Sequence, residues 1–243
     1  MKYFVLIILV AAGMMVSCSK TNSTTANVLF YNGSLSLPAL TAAWNGNSIT
    51  PAAILQGQSS GTADKPYLRV AAGTNLLTLK AGTDTLINKN IYTTAASGTS
   101  FLFFDTSAAA GSTVGILQLT DVLTPPDTAE INYRLIDLSP DTTATADVWL
   151  VNGVTDSLRL DSAITFIGTT PYISSLQTFT AIKYHREAYT IKIKKTGTEQ
   201  VYASIPGYTF VLRGIYSIIF SGLSTGSGNS AFKLSVLHHY TQQ

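Results

Sequence analysis

Cysteine is almost absent from this chain of 243 residues, in which Cys18 is the one thiol. A single thiol cannot form an internal disulfide, and zinc sites built from several thiolates are excluded with it. If Cys18 is itself consumed by modification, a cysteine nucleophile is excluded as well. The fold must therefore be stabilised by a packed core, which a chain of this length can bury in one large or two small domains.

Charge is also scarce, since only 12% of the residues are Asp, Glu, Lys or Arg against about 25% in a typical soluble protein. The formal net charge of +2 gives no field that would attract nucleic acid or an anionic membrane surface. A hydrophobic fraction of 46% indicates a folded chain. The densest basic run, Lys192-Ile193-Lys194-Lys195, puts Lys192 and Lys194 on one strand face, which favours a solvated face over an anion site.

The first residues form a short apolar leader. Lys2 is followed by an apolar run over 3–16, shorter than the roughly 18 residues of a membrane span, and small Ser17 precedes Cys18. This order resembles a bacterial lipoprotein signal, in which the leader is removed and the cysteine is acylated. The resemblance implies a signal peptide over 1–17, lipidation of Cys18 and attachment to a membrane through the N-terminal lipid.

Residues 18–26 are small, polar and without pattern after the cysteine, which predicts a flexible tether. No acidic cluster follows Cys18. In some bacterial groups such a cluster resembles a signal for display on the cell surface, so its absence favours the periplasmic side. We therefore expect a lipid-anchored protein of the bacterial cell envelope, at the outer membrane.

Helical patterns are missing from the rest of the chain, because no long stretch carries a clean apolar stripe with caps at both ends. Instead, short runs rich in β-branched and aromatic residues alternate with Gly-rich turns, and several have a period of two, as in Thr190-Ile191-Lys192-Ile193-Lys194. Regular short strands of this kind predict an all-β sandwich or barrel.

The series of predicted strands occurs twice in the sequence. The matched segments are 28–34 with 133–139, 42–46 with 149–153, 77–80 with 191–194, 100–104 with 216–220, and 117–119 with 234–236. The separation between partners rises steadily along the chain, as small loop insertions in a second copy require. We predict two tandem Ig-like antiparallel β-sandwich domains, over 27–121 and 130–240, joined by a stiff Pro-rich linker over 122–129.

The opening of the second copy also resembles a known family. Residues 130–141 give a strand and an Asp-x-Ser-Pro-Asp turn, and residues 146–153 give a strand that ends in Asn152-Gly153. This pattern resembles the family numbered 4397 among the domains of unknown function. The first copy has Leu35 where the pattern has proline. The resemblance implies envelope-facing β-sandwich modules, often found in lipoproteins, and it carries over no catalytic or binding residues.

No catalytic constellation stands out. The acidic residues lie mainly in turns, where Asp side chains bond to the backbone, and no pair has a distinctive spacing. The histidines are His185, His238 and His239. The last two are adjacent on a predicted strand, so they point to opposite faces and do not suit one metal ion. A serine-hydrolase elbow and a calcium-loop spacing are both missing, and we expect a protein without enzymatic activity, metal or cofactor.

Aromatic side chains are the best candidates for ligand contact. They are Trp44, Trp149, Tyr172, Tyr184 and Tyr208. The alternative is the sheet core, the default place for such residues. The matched segments set Ala42 and Trp44 against Trp149 and Val151 on one face, which conserves volume and favours a core position for both tryptophans.

These observations leave three functional hypotheses. The first is a lipid-anchored, non-catalytic recognition or adhesion module that binds a glycan or a protein, but not nucleic acid. The alternative is a structural accessory subunit that scaffolds an envelope complex. A hydrolase acting on polysaccharide ranks third, because no catalytic set supports it.

Overall fold

The protein is built from strands throughout the part that the structure describes. The structure is a computed structural model, and it describes residues 24–50, 52–109, 112–141, 145–153, 156–168 and 174–240. Within those ranges the only helical pieces are two 3₁₀ turns, Ser174–Gln177 and Gly228–Ser230. No helix in them has the length and apolarity needed to cross a membrane. The all-β sandwich prediction is confirmed.

The strands fall into two successive series. The first series is β1 (Thr25–Asn32), β2 (Ala39–Trp44), β3 (Asn47–Ser48), β4 (Ile54–Leu55), β5 (Leu68–Ala71), β6 (Gly73–Ala81), β7 (Asp84–Thr93), β8 (Gly98–Asp105) and β9 (Val114–Asp121). The second series is β10 (Glu130–Asp137), β11 (Ala146–Asn152), β12 (Asp156–Ile164), β13 (Thr180–Lys183), β14 (Tyr189–Lys195), β15 (Val201–Tyr208), β16 (Ile215–Ser221) and β17 (Lys233–Tyr240).

Each series forms two sheets, and the strand order is the same in both. In the first repeat the sheets are β5-β1-β8-β9 and β3-β2-β6-β7, with β4 paired to β2. In the second repeat they are β13-β10-β16-β17 and β12-β11-β14-β15. Apart from β4, the two halves of the chain therefore have one topology.

One pairing in each repeat differs from the antiparallel arrangement that the sequence predicted. Strand β1 runs parallel to β8, and β10 runs parallel to β16. Alternation of apolar and polar residues reveals which face a side chain occupies but not the direction of the neighbouring strand. A parallel pair needs a long crossover, and here most of a repeat separates the two strands.

The predicted tether is too long by two residues, because β1 already begins at Thr25. Thr25 pairs with Ala71 and Ala26 pairs with Val70. Ala26 is fully buried in the first core, so burial of its methyl group holds the chain in the sheet. The leader over 1–17 and Cys18 lie outside the described residues.

The sheets stack in four layers, since β8 is buried along its whole length. Phe101 and Phe103 face the core of their own repeat. Leu102 and Phe104 face the other way, into a cluster that contains Ile219 of the second repeat. A strand buried on both faces reads as a continuous apolar run. The sheets containing β8 and β16 are thus the two inner layers, and the repeats are joined by an apolar interface.

Close approach of the inner sheets depends on Gly33. A Cβ atom on Gly33 would lie 2.7 Å from Cδ1 of Leu138 and 3.0 Å from the carbonyl oxygen of Phe103. Real side chains do not tolerate such contacts without movement of their neighbours. The missing side chain of Gly33 therefore makes room for Leu138 of the second repeat.

Candidate binding cleft and a buried polar network

A ring of hydrogen bonds crosses the interface between the repeats. Nη2 of Arg134 lies 2.6 Å from Oδ1 of Asp121, and both side chains are almost fully buried. Nε of Arg134 donates to Oγ of Ser217 at 2.7 Å, and Oγ of Ser217 lies 2.7 Å from Nε2 of His239. Nδ1 of His239 lies 2.8 Å from the hydroxyl of Tyr67, which donates to Oδ2 of Asp121 at 2.7 Å. The ring therefore closes on the residue where it began.

Further contacts surround the Arg134–Asp121 ion pair, so few of its polar atoms are left unpaired. Oδ2 of Asp121 also accepts a hydrogen bond from Ser100. Nη1 of Arg134 donates to the carbonyl oxygen of Leu176 at 3.1 Å. The guanidinium carbon of Arg134 lies 4.6 Å from the ring centroid of Phe179, a cation–π contact. A buried ion pair is tolerated only when its remaining donors and acceptors are satisfied in this way.

The bonding pattern fixes the protons in the ring. Since Tyr67 donates to Asp121, its oxygen accepts from Nδ1–H of His239, and Nε2 of His239 then accepts from Ser217. Histidine is therefore neutral. Burial, together with the positive charge of Arg134, lowers the pKa of His239 to about 3 despite the opposing influence of Asp121. Burial opposes ionisation of Asp121, but Arg134, His239 and the hydrogen bonds from Tyr67 and Ser100 lower its pKa overall.

The surroundings of the Ser217–His239 pair indicate a structural role and not a catalytic one. Both residues are buried, with Ser217 fully enclosed. A nucleophilic serine needs access to substrate and a free lone pair, whereas Oγ of Ser217 already accepts a hydrogen bond from Arg134. The network holds the two repeats together, and its chemistry is that of a satisfied buried ion pair.

A cleft opens at one end of the second repeat, between its inner and outer sheets. This end is where β10 begins and β11 and β13 finish. Its floor is apolar, made by Ile131, Leu150 and Phe210, each about 2% exposed. Concave sites with an apolar floor and a few polar groups at the edge are the usual form of binding pockets.

The rim of the cleft is polar and carries both signs of charge. Lys183, His185 and Glu187 are exposed there. The amide nitrogen of Asn152 donates to the carboxylate of Glu187, which ties the end of β11 to the chain that precedes β14. The rim therefore offers donors and acceptors around an apolar centre.

Aromatic side chains build the wall and its support. Tyr184 and Tyr189 line the cleft. Behind them, Phe210 meets Tyr208 edge to face at 4.9 Å and Tyr216 at 5.0 Å. The hydroxyl of Tyr216 accepts from the backbone N–H of Val211, which holds the loop that carries Phe210. Burial, with a smaller influence from Tyr216, raises the pKa of Tyr208, so its hydroxyl is neutral at physiological pH.

The structure brings two of the five candidate aromatic residues together at this cleft. Tyr184 lines it, and Tyr208 packs behind its floor against Phe210. Trp44 lies in the first core, 4% exposed, as the core alternative predicted. Tyr172 lies outside the described residues.

Trp149 is on the outer face of its sheet, so the core position predicted for it is wrong. Arg159 and Lys192 lie directly opposite it on the neighbouring strands, and Nζ of Lys194 lies 5.1 Å from its ring. The inward residues of β11 are Ala146, Val148 and Leu150. The sequence match was displaced by one residue in this strand, and a slip of one residue moves a strand side chain to the opposite face.

Lys192 and Lys194 do share this outer face with Trp149, as alternation predicted. Lys194 also forms an ion pair with exposed Glu199 at 2.5 Å. The two adjacent histidines separate as expected: His239 joins the buried ring, while His238 stacks on Tyr216 at 4.8 Å.

The buried network was missed from the sequence, although one signal was present. Arg134 interrupts the apolar run Tyr133-Arg134-Leu135-Ile136. A cation in a strand that is buried on both faces must find an anion. Its partner Asp121 closes the first repeat, so the pair becomes visible only when the two inner sheets face each other.

No protein-family model matches this chain, and no curated protein matches it significantly. The resemblance to the family numbered 4397 stays a prediction.

Proposed function

We propose that this chain is a lipid-anchored, non-catalytic recognition module of the bacterial cell envelope, and that the cleft of the second repeat is its binding site. The cleft supports this proposal because its apolar floor, aromatic wall and mixed-charge rim converge on one opening. Such a combination suits binding, since apolar burial contributes affinity and the rim groups contribute orientation.

The anchor is proposed from the leader and Cys18 alone. Its test is the mass of the protein recovered from bacterial membranes. An acylated N-terminal cysteine without residues 1–17 is expected, and Cys18→Ser should release the protein from the membrane fraction. A wild-type protein that keeps residues 1–17 and is recovered outside the membrane fraction would contradict the proposed lipid anchor.

Recognition is tested with glycan and protein arrays probed by the mature chain. We expect capture that Tyr184→Ala weakens by about tenfold, which is about 1.4 kcal/mol. Tyr92→Ala is the matched control, because Tyr92 is a tyrosine of the first repeat that is 63% exposed and remote from the cleft. Capture that both variants reduce equally would place binding elsewhere.

One edge strand favours the second candidate, a scaffold within an envelope complex. The ten residues of β7 contain no proline, and among the described strands β7 pairs with β6 alone. An open strand edge can pair with a strand of another protein. Under this alternative, mild crosslinking should give a stoichiometric membrane partner, and Asn88→Pro in β7 should abolish the crosslink while Tyr184→Ala leaves it intact.

A further inference from the structure

We infer that the cleft of the second repeat receives a flat aromatic side chain, tryptophan foremost, presented by a partner protein. This inference rests on the proposed recognition function and names its ligand class. The first repeat carries the argument, because it shows what fills the same space in an otherwise equivalent sandwich.

Trp44 and Leu150 occupy the same position in the two repeats. Trp44 pairs with Leu77, and Leu150 pairs with Ile191, which begin the matched segments 77–80 and 191–194. The adjoining strand ends also match. Ala71 pairs with Thr25 as Lys183 pairs with Glu130.

The backbone beside this position is bonded in the same way in both repeats. The N–H of Ala72 donates to the carbonyl of Thr24 at 2.9 Å, and the N–H of Tyr184 donates to that of Ala129 at 2.8 Å. The two sandwich ends therefore share a frame, and the side chains that they carry can be compared directly.

In the first repeat an indole closes the end of the sandwich. The ring of Trp44 is 4% exposed and lies 6.3 Å from that of Phe101. Its Nε1 donates to the carbonyl oxygen of Ala71 at 3.3 Å. The space between the sheets thus holds a flat ring whose N–H is satisfied by the adjoining strand.

In the second repeat the indole is replaced by the shorter Leu150, and the cleft is found there. The surrounding residues are aromatic where the first repeat has small or polar ones: Tyr184 stands in place of Ala72, and Tyr189 in place of Asn75. Aromatic rings favour another ring, stacked or edge to face, over an aliphatic chain.

The chemistry of the floor decides between an aromatic side chain and a sugar. Ile131, Leu150 and Phe210 present only apolar side chains, and the polar side chains lie at the rim. A buried sugar would leave hydroxyl groups without partners in the floor, which is costly. An indole needs one acceptor, and the carbonyl of Lys183 holds the place that the carbonyl of Ala71 holds for Trp44. Tryptophan is also a frequent anchor residue of protein interfaces.

The test follows methyl NMR signals of Leu150, Ile131 and Ile182 in the full mature chain while N-acetyltryptophanamide is added. We expect these signals to shift in a saturable manner, and the shifts to disappear in Leu150→Trp, where the chain supplies its own ring. Trp44→Leu opens the same space in the first repeat, so the same probe should raise the melting temperature of that variant.

One rim variant and its control keep the test valid if Leu150→Trp does not fold. Leu158 lines the cleft and is 51% exposed. Leu158→Glu should therefore weaken binding of the probe by about tenfold without loss of the fold. Leu55→Glu is the matched control, because Leu55 is a strand leucine of the first repeat that is 57% exposed. It should leave probe binding unchanged.

The outcomes separate the inference from the function on which it rests. An oligosaccharide that shifts the three methyl signals when the indole probe does not would overturn the aromatic ligand and leave recognition standing. Array capture that survives both Leu150→Trp and Leu158→Glu would overturn the cleft as the binding site, for the ring and for the proposed function alike, and would leave recognition at another surface. No shift and no capture would overturn both.

Discussion

Asp121 and His239 lie at the corresponding ends of β9 and β17, and the hydroxyl of Tyr67 bonds to both of them. Each lies two residues beyond a leucine that pairs with a serine: Leu119 with Ser100, and Leu237 with Ser217. Both serines join the same network. Equivalent residues that meet across an interface are the mark of a two-fold, isologous arrangement, here built within one chain.

The Arg134–Asp121 ion pair makes the first prediction. Arg134→Met leaves the buried carboxylate of Asp121 without its counter-charge, and Asp121→Asn leaves the guanidinium without its own. Breaking a buried pair in this way costs about 3–5 kcal/mol, so urea denaturation should show a loss of that size for each variant.

The ion pair of Lys194 and Glu199 is the control for this prediction, since its carboxylate on Glu199 is 92% exposed. Glu199→Gln should change the free energy of unfolding by less than about 1 kcal/mol. Equal effects at the two sites would contradict the description of the interface pair as buried and fully bonded.

The buried His239 leads to a prediction about the stability of the protein in acid. Its pKa is about 3 in the fold and about 6.5 in the unfolded chain. Between these values the unfolded state binds a proton that the folded state does not, so stability falls as the pH drops from 6.5 towards 3. The contribution of His239 to this slope is about 1.4 kcal/mol per pH unit.

His239→Gln isolates that contribution, because glutamine keeps a donor and an acceptor but does not titrate. Asp121 also loses its stabilising effect in acid, since its pKa is lowered in the fold, and Arg134, the largest lowering influence, is kept in the variant. Urea denaturation at a series of pH values should therefore show a shallower slope for His239→Gln.

The second repeat carries a buried acid where the first has an amide. Asn32 donates through Nδ2 to the carbonyl oxygens of Leu37 and Ile54, and its Oδ1 accepts from the N–H of Ser34. Asp137 ends its strand in the same way, with Oδ1 accepting from the N–H of Ser139. Its Oδ2 has no hydrogen-bond partner among the described residues.

We predict that Asp137→Asn stabilises the protein at neutral pH. Burial, aided by the nearby charge of Asp141, raises the pKa of Asp137 to about 8 against the hydrogen bond from Ser139. The unfolded chain ionises first, so wild-type stability falls as the pH rises from about 4 to about 8. The advantage of Asp137→Asn should grow across that window by about 1.4 kcal/mol per pH unit and disappear below it.

The reverse change in the first repeat supplies the comparison. Asn32→Asp removes two amide hydrogen bonds and introduces a buried acid, so it should be destabilising at neutral pH and less so in acid. Thermal or urea unfolding of both variants from pH 4 to 9 checks the pair. An advantage of Asp137→Asn that does not vary with pH would contradict an ionisation effect.

Local patterns in the sequence were sufficient for the strands, because alternation and Asn-Gly turns act over a few residues. They indicated the duplication with less precision, since the matches of 42–46, 100–104 and 117–119 are each displaced by one residue in the strand pairings. They did not reveal the four-layer stack. The continuous run Phe101-Leu102-Phe103-Phe104 was the available signal, since a strand with one solvated face would alternate. The cleft could not be predicted either, because it lies where the leucine side chain of Leu150 is smaller than the indole of Trp44 in the first repeat, and the residue pattern does not show that the space is left open.

The two tryptophans give the last prediction, because they are the only ones in the chain and their surroundings differ. Trp44 is enclosed in the first core, whereas Trp149 lies on an outer sheet face between cations. Trp44→Ala should cost about 3–5 kcal/mol through the lost apolar contacts and the cavity that remains. Trp149→Ala should cost about 1 kcal/mol, mainly from cation–π contacts.

Fluorescence separates the two tryptophans with more conservative substitutions. Trp149→Phe leaves Trp44 as the only emitter, so its emission should lie at short wavelength and resist quenching by iodide. Trp44→Phe should leave a longer-wavelength emission that iodide quenches more strongly, since the two nearby cations attract the anion. Equal quenching in the two variants would mean that both indoles share one environment. That result would contradict the outer-face position of Trp149 and support the core position that the sequence predicted.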